Sequence, residues 1–205
     1  MFVRGALDLA RGRGENPGVT LLLAHLTDAH IGPLPRVLRR ELMSKRITGY
    51  INFKVGRDRV HDMDVLARLV ADMRAHRPDH IAMTGDILNI GLQAEFPLAR
   101  AWLETLGDPA QVSFAPGNHD AYIRSTLGQL TQTFAPYCRD DGAAEHVRSH
   151  FPYLRVRCGV ALIGLSTGVP TAPFIASGRL GAAQVEALAG VLAKAGAEGL
   201  PRVIM

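Results

Sequence analysis

Three apolar runs set the plan of this chain, because each stops abruptly at a cluster of polar residues. The first, Thr20-Leu21-Leu22-Leu23-Ala24-His25-Leu26-Thr27-Asp28-Ala29-His30, ends in Asp-x-His. The second, His80-Ile81-Ala82-Met83-Thr84-Gly85-Asp86, ends in Gly-Asp, and the third, Ser113-Phe114-Ala115-Pro116-Gly117-Asn118-His119-Asp120, ends in Gly-Asn-His-Asp. Short apolar runs closed by turn residues read as buried strands. Between them lie helix-spaced segments. Residues 58–76 carry Val60, Leu66, Leu69, Val70 and Met73 on one stripe, with Asp58 as a plausible N-cap, and residues 95–106 carry Phe96, Leu98, Trp102, Leu103 and Leu106. Strand, helix, strand, helix, strand predicts a parallel sheet with right-handed crossovers. All three polar ends then fall along one sheet edge, where open α/β sheets place their ligands.

The residue types at that edge suit metal chemistry. Asp, His and Asn offer oxygen and nitrogen donors to borderline and hard divalent ions such as Mn, Fe, Zn or Mg. Asn offers its amide oxygen, His moves protons, and an Asp beside a His can orient the ring. Any one of these clusters also occurs in ordinary turns, so the weight rests on three of them meeting. There is no cysteine cluster of the kind a structural zinc site uses.

Asp28-x-His30, Gly85-Asp86 and Gly117-Asn118-His119-Asp120, in that order, resemble the calcineurin-like metallophosphoesterase superfamily. The resemblance implies an α/β fold of the αββα type, a sandwich of two mixed β-sheets flanked by helices. It implies a dinuclear centre of two divalent metal ions (Mn, Fe, Zn or similar) acting on a phosphate mono- or diester, or a pyrophosphate, in a phosphorylated small molecule or lipid. Asp28 and His30 would bind the first metal, Asp86 would bridge both, and Asn118 would bind the second. His119 would be the proton donor or a phosphate-contacting group, with Asp120 orienting it. Asn89 fills the last place of the family's Gly-Asp-x-x-Asp/Asn pattern. The family's remaining ligands, a His after a later strand and a Gly-His-x-His motif, have no counterpart in this sequence. Residues 19–205 are therefore expected to form an incomplete phosphoesterase domain, with the last residues, Pro201 to Met205, opening another strand. The alternative is a truncated, catalytically impaired chain that acts at most as a weak metal-binding or interaction module.

The rest of the chain adds less. Residues 1–18, rich in Arg and Gly, read as a disordered leader and lack the apolar core of a signal peptide. Residues 31–57 form a basic segment in which Leu38, Leu42, Ile47, Tyr50, Ile51 and Phe53 alternate with Arg36, Arg39, Arg40, Lys45, Arg46, Lys54 and Arg57. Two readings stay open for it: a substrate-facing lid whose cations meet phosphate and whose apolar residues meet a leaving group or lipid, or an amphipathic connection packed on the core. His25 reads as a strand residue that packs or hydrogen-bonds, and His61 and His76 as surface residues. Tyr122 and Arg124 follow the third motif closely, and two readings stay open for them, substrate contact or plain surface positions. Residues 121–139 read as a helix broken near Gly128. Tyr153–Arg157 and Val160–Leu165 form a hairpin that begins a second sheet, and 181–195 an Ala-rich helix. A formal charge of +4 is too small to choose a nucleic-acid partner. The two cysteines form no disulfide framework, so a cytoplasmic setting is the expectation, and no apolar run reaches membrane-spanning length.

Overall fold

A computed structural model describes residues 20–56, 61–144 and 150–205. The expected leader, Arg57, Asp58 and Val60 lie outside the described residues. The first sheet has the order β1-β2-β3, with β1 Leu23–Thr27, β2 His80–Thr84 and β3 Val112–Ala115. All of its pairings are parallel, with Leu26 opposite Met83 and Met83 opposite Phe114. The second sheet has the order β4-β5-β6, with β4 Tyr153–Arg157, β5 Val160–Gly164 and β6 Arg202–Ile204. It is mixed: β4 pairs antiparallel with β5, and β5 parallel with β6. Helices flank the sheets: α1 Arg46–Val55, α2 Met63–Ala75, α3 Glu95–Leu106, α4 Leu127–Thr133 and α5 Ala182–Ala197. The expected α/β sandwich of two sheets is present.

The crossovers form where apolar spacing and caps coincide. Asp62 caps α2 by accepting from the backbone N–H groups of Asp64 and Val65. The helix thus begins after Asp62, and Val70 and Met73 on its inner face join the core. From α3, Phe96, Ala99, Leu103 and Leu106 meet the same core, with Trp102 packed against its margin. The segment after β3 breaks more than its sequence suggests. A short 3-10 turn at Arg124–Thr126 leads into α4, and another at Ala135–Tyr137 follows.

Polar side chains tie the two sheets together. The Tyr153 hydroxyl and the Cys138 thiol both donate to the Phe114 carbonyl, at 2.9 and 3.1 Å. The buried Arg155 guanidinium donates to the carbonyls of Val112, Pro109, Pro136 and Arg139. A buried cation with four carbonyl partners needs no carboxylate to be satisfied. Burial still lowers its pKa. Gly164 admits this arrangement, because a Cβ there would overlap the Tyr153 ring.

Candidate metal centre

The loops after β1 and β2 stay zipped together beyond their strands. Asp28 N donates to Gly85 O, His30 N to Asp86 O and Ile31 N to Ile87 O, at 3.2, 2.9 and 2.9 Å. This pairing brings Asp28, His30 and Asp86 side by side, with one ligand atom from each lying within 4.8 Å of the others. All three have positive φ, at 56°, 40° and 54°. The left-handed region is uncommon for non-glycine residues, although Asp and His enter it more readily than most, and residues held there gather at functional sites. Gly85, also at positive φ, and Gly117 allow the two loops to touch. A Cβ on Gly117 would come within 2.9 Å of Gly85 Cα and would collide with the Asp86 carboxylate.

The donor set fits a divalent cation. Two donors each about 2.1 Å from one ion lie no more than about 4.2 Å apart, so these three side chains would close around an ion they hold. His30 is buried, and its Nδ1 faces the Leu88 carbonyl at 2.9 Å. A carbonyl only accepts, so Nδ1 carries the proton and Nε2 carries the lone pair. That second contact is the one metal-binding imidazoles commonly make.

Two buried carboxylates hold the loop that follows Asp86. Asp120 accepts from the backbone N–H groups of Asp86, Ile87, Leu88 and Gly117, at 2.8 to 3.0 Å. Glu95 accepts from those of Asn89, Ile90 and Leu92. Six of the seven amides from 86 to 92 therefore point at one carboxylate or the other. Burial raises both pKa values, that of Asp120 to about 7, while the amide hydrogen bonds pull the other way. The sequence suggests Asp120 as the group that orients His119. In the structure its two oxygens go to the four amides, and His119 Nδ1 donates to the Asn89 carbonyl. Asp86 Oδ1 accepts from the His119 N–H at 2.8 Å, which links the third motif to the second.

The His119 ring lies edge-on to His30, with centroids 4.9 Å apart, and stacks on Tyr122 at 5.6 Å. Tyr122 in turn lies under the Lys45 ammonium, 4.3 Å from the ring centre. Asn118 is half-buried between Gly117 and His119 on the same loop. Asn89 lies behind the site. Its Nδ2 donates to the Ile31 carbonyl, and its Oδ1 is buried without a hydrogen-bond partner. His25 bonds across the strands to Thr84 Oγ1, and His76 Nδ1 to the Asp72 carbonyl.

Two residues carry more than their sequence shows. Glu95 sits at the first turn of an apolar helix and reads as a solvent-facing acid, yet it is buried. Its only sequence signal is its place just after a Gly-containing turn. The His61 ring packs 4.5 Å from that of His30, where the sequence reads it as a surface residue of the helix-spaced segment 58–76. Among the described residues, Asp28, His30 and Asp86 are the one group of three or more His, Cys, Asp or Glu side chains placed to hold a metal. No cluster of that kind marks a second ion, so the expected pair of metals is matched here only by its first half.

Comparison with known proteins agrees with this geometry. A family model described as calcineurin-like phosphoesterase matches residues 21–169. A glycerophosphodiester phosphodiesterase, GpdQ, of Enterobacter lignolyticus (strain SCF1) is 31% identical over 116 residues, covering 54% of this chain and 35% of its own. The chain thus spans about a third of the length of that relative.

Proposed function

The chain belongs to the calcineurin-like phosphoesterase family, and from that premise we propose that the Asp28–His30–Asp86 cluster holds a divalent metal ion at a site that hydrolyses phosphate esters. The carrying observation is the meeting of these three side chains within 4.8 Å on left-handed backbone. A bound divalent ion supplies Lewis acidity and lowers the pKa of a water it holds.

The chain's own residues do the rest. Asp28 and His30 would hold the first ion together with Asp86; if a second ion binds, Asp86 would be shared with it and Asn118 would supply its amide oxygen. With Nδ1 fixed on the Asn89 carbonyl, His119 in its protonated form has Nε2–H to donate to the leaving oxygen. Asp120 acts as a positioning residue, holding the Asp86 loop through its amides. Lys45 places positive charge over the outer side of Tyr122, which suits a phosphorylated substrate. The likeness to a glycerophosphodiester phosphodiesterase favours a diester among the possible substrates. Cys138 and Cys158 are unpaired, as suits a reducing cytoplasm. No helix among the described residues is long and apolar enough to cross a membrane.

The incomplete ligand set supports a second reading, in which this chain binds one ion weakly and turns over poorly. Manganese titration by calorimetry and Mn²⁺-dependent hydrolysis of an aryl phosphodiester separate the two. The enzyme reading expects turnover that Asp86→Asn abolishes, with metal affinity weakened about 100-fold. One weakly held ion and no turnover by either protein would establish the second.

A further inference from the structure

The basic segment before α2 divides into an inner face that is fully engaged and an outer face that is not. On the inner side of α1, Arg46 is buried and donates to the carbonyls of Ile90 and Gly91. Phe53 is buried in the same direction. Gly49 lies so close to the Tyr122 hydroxyl that a Cβ would overlap it. Lys45 reaches across Tyr122 to the Thr171 carbonyl, at 2.9 Å.

The outer side is apolar. Ile47, Ile51 and Val55 recur at every fourth position, so they form one stripe along the helix, and all three are exposed, Val55 by 80%. Met43 extends the stripe past the start of the helix and is 88% exposed. The loop that Lys45 meets at Thr171 also carries exposed apolar side chains, Phe174, 84% exposed, and Ile175. Exposed large apolar residues are ordinary when scattered; gathered into one patch they mark a contact surface.

Charge identifies the partner. Residues 36–56 carry six cations, Arg36, Arg39, Arg40, Lys45, Arg46 and Lys54, against the one carboxylate of Glu41. Glu41 is occupied by the backbone N–H groups of Leu38 and Gln93. Arg36, Arg39, Arg40 and Lys54 are exposed on the same segment that carries the apolar stripe. An apolar face flanked by arginine and lysine is the pattern of a helix that lies in the plane of an anionic bilayer, apolar side down and cations among the headgroups. A protein partner or a second copy of this chain would need acidic residues opposite these cations, and the outer face of this segment offers none to a copy of itself.

We propose that the outer face of α1, with Met43 and Phe174, docks this protein on the surface of an anionic phospholipid bilayer. Docking brings Tyr122, and the His119 ring stacked on it, within about one helix diameter, roughly 10–12 Å, of the headgroups. That a headgroup phosphate is then within reach of the metal site rests on the phosphoesterase reading; the docking itself does not.

Flotation of the 205-residue chain with vesicles tests it without any need for turnover. Phosphatidylcholine vesicles containing phosphatidylglycerol should capture the protein at low salt, release it in about 0.5 M salt, and bind far more than phosphatidylcholine alone. Ile47→Ser with Ile51→Ser should lower binding about tenfold or more. Arg39→Ala with Arg40→Ala should lower it about 30-fold, near fivefold per cation. Both pairs change exposed side chains, and circular dichroism checks that the fold is kept. Capture that is equal on neutral vesicles, absent on anionic ones, or unchanged in both variants overturns the proposal. So does a dimer in sedimentation that either double variant dissolves.

Discussion

Two stretches border the candidate metal centre, and they are built on opposite principles. Residues 85–92 expose little: six of their eight amides end on Asp120 or Glu95, and Ile87, Leu88, Ile90 and Leu92 are buried. Residues 36–56 are anchored at a few points, and their outer face carries apolar and cationic side chains into solvent. The first is a mount that fixes Asp86 and the Asn89 carbonyl on either side of His119. The second is a surface. The contrast shows where precision is needed: a donor set must be held to within about 0.5 Å, whereas a docking face needs only composition and exposure.

Breaking the mount should have the largest effect. Asp120→Ala removes the acceptor of four amides and leaves several of them buried without partners, which costs on the order of 3–5 kcal/mol. Urea unfolding should show that loss as a lower midpoint. Asp120→Asn keeps one carbonyl oxygen but turns the other oxygen into a donor facing amides, so it should fall between Ala and the parent. A midpoint for Asp120→Ala within 1 kcal/mol of the parent would mean that the loop holds itself.

His80, on the strand that leads into the mount, should give an intermediate effect that depends on pH. It is buried, its Nε2 meets Ser113 Oγ at 2.8 Å, and its Nδ1 has no hydrogen-bond partner. Burial first, then Arg157 and Arg155, holds its pKa down at about 3, against the weaker pull of Asp141. The unfolded chain takes up that proton near pH 6.5 and the folded one only near 3. Stability from a neutral His80 is thus complete above about pH 6.5 and drains away as pH falls toward 3, by at most about 1.4 kcal/mol per pH unit. The raised pKa values of Asp120 and Glu95 act in the opposite sense, so the whole-protein profile mixes the two. The difference between parent and His80→Gln isolates the histidine: relative to the variant, the parent should lose stability between pH 7 and pH 5. A constant difference would show that His80 is not held neutral.

The surface should respond least. Ile47→Ser with Ile51→Ser changes side chains that already face water, and should leave the urea midpoint within about 0.5 kcal/mol. A larger loss would place that face inside a contact and blur the contrast between the two stretches.

Much of this protein is legible in its sequence, because strand ends and helix stripes are local. The three apolar runs, the stripes of α2 and α3 and the β4–β5 hairpin follow from the spacing of side chains along the chain. Asp28, His30 and Asp86 follow from their place at strand ends, since parallel pairing sets those ends side by side. The tertiary structure alone decided the partners. Whether Asp120 faces a ring or four amides depends on how the loops after β2 and β3 cross, and no spacing records that. Glu95 is buried because the 89–92 turn curls over it, and His61 meets His30 because the entry to α2 passes over the first motif. The exposed stripe of α1 was ambiguous for the same reason. Periodicity shows that a helix has an apolar face, but only packing tells which face the protein covers, and here Arg46 and Phe53 turned inward and left the isoleucines outside.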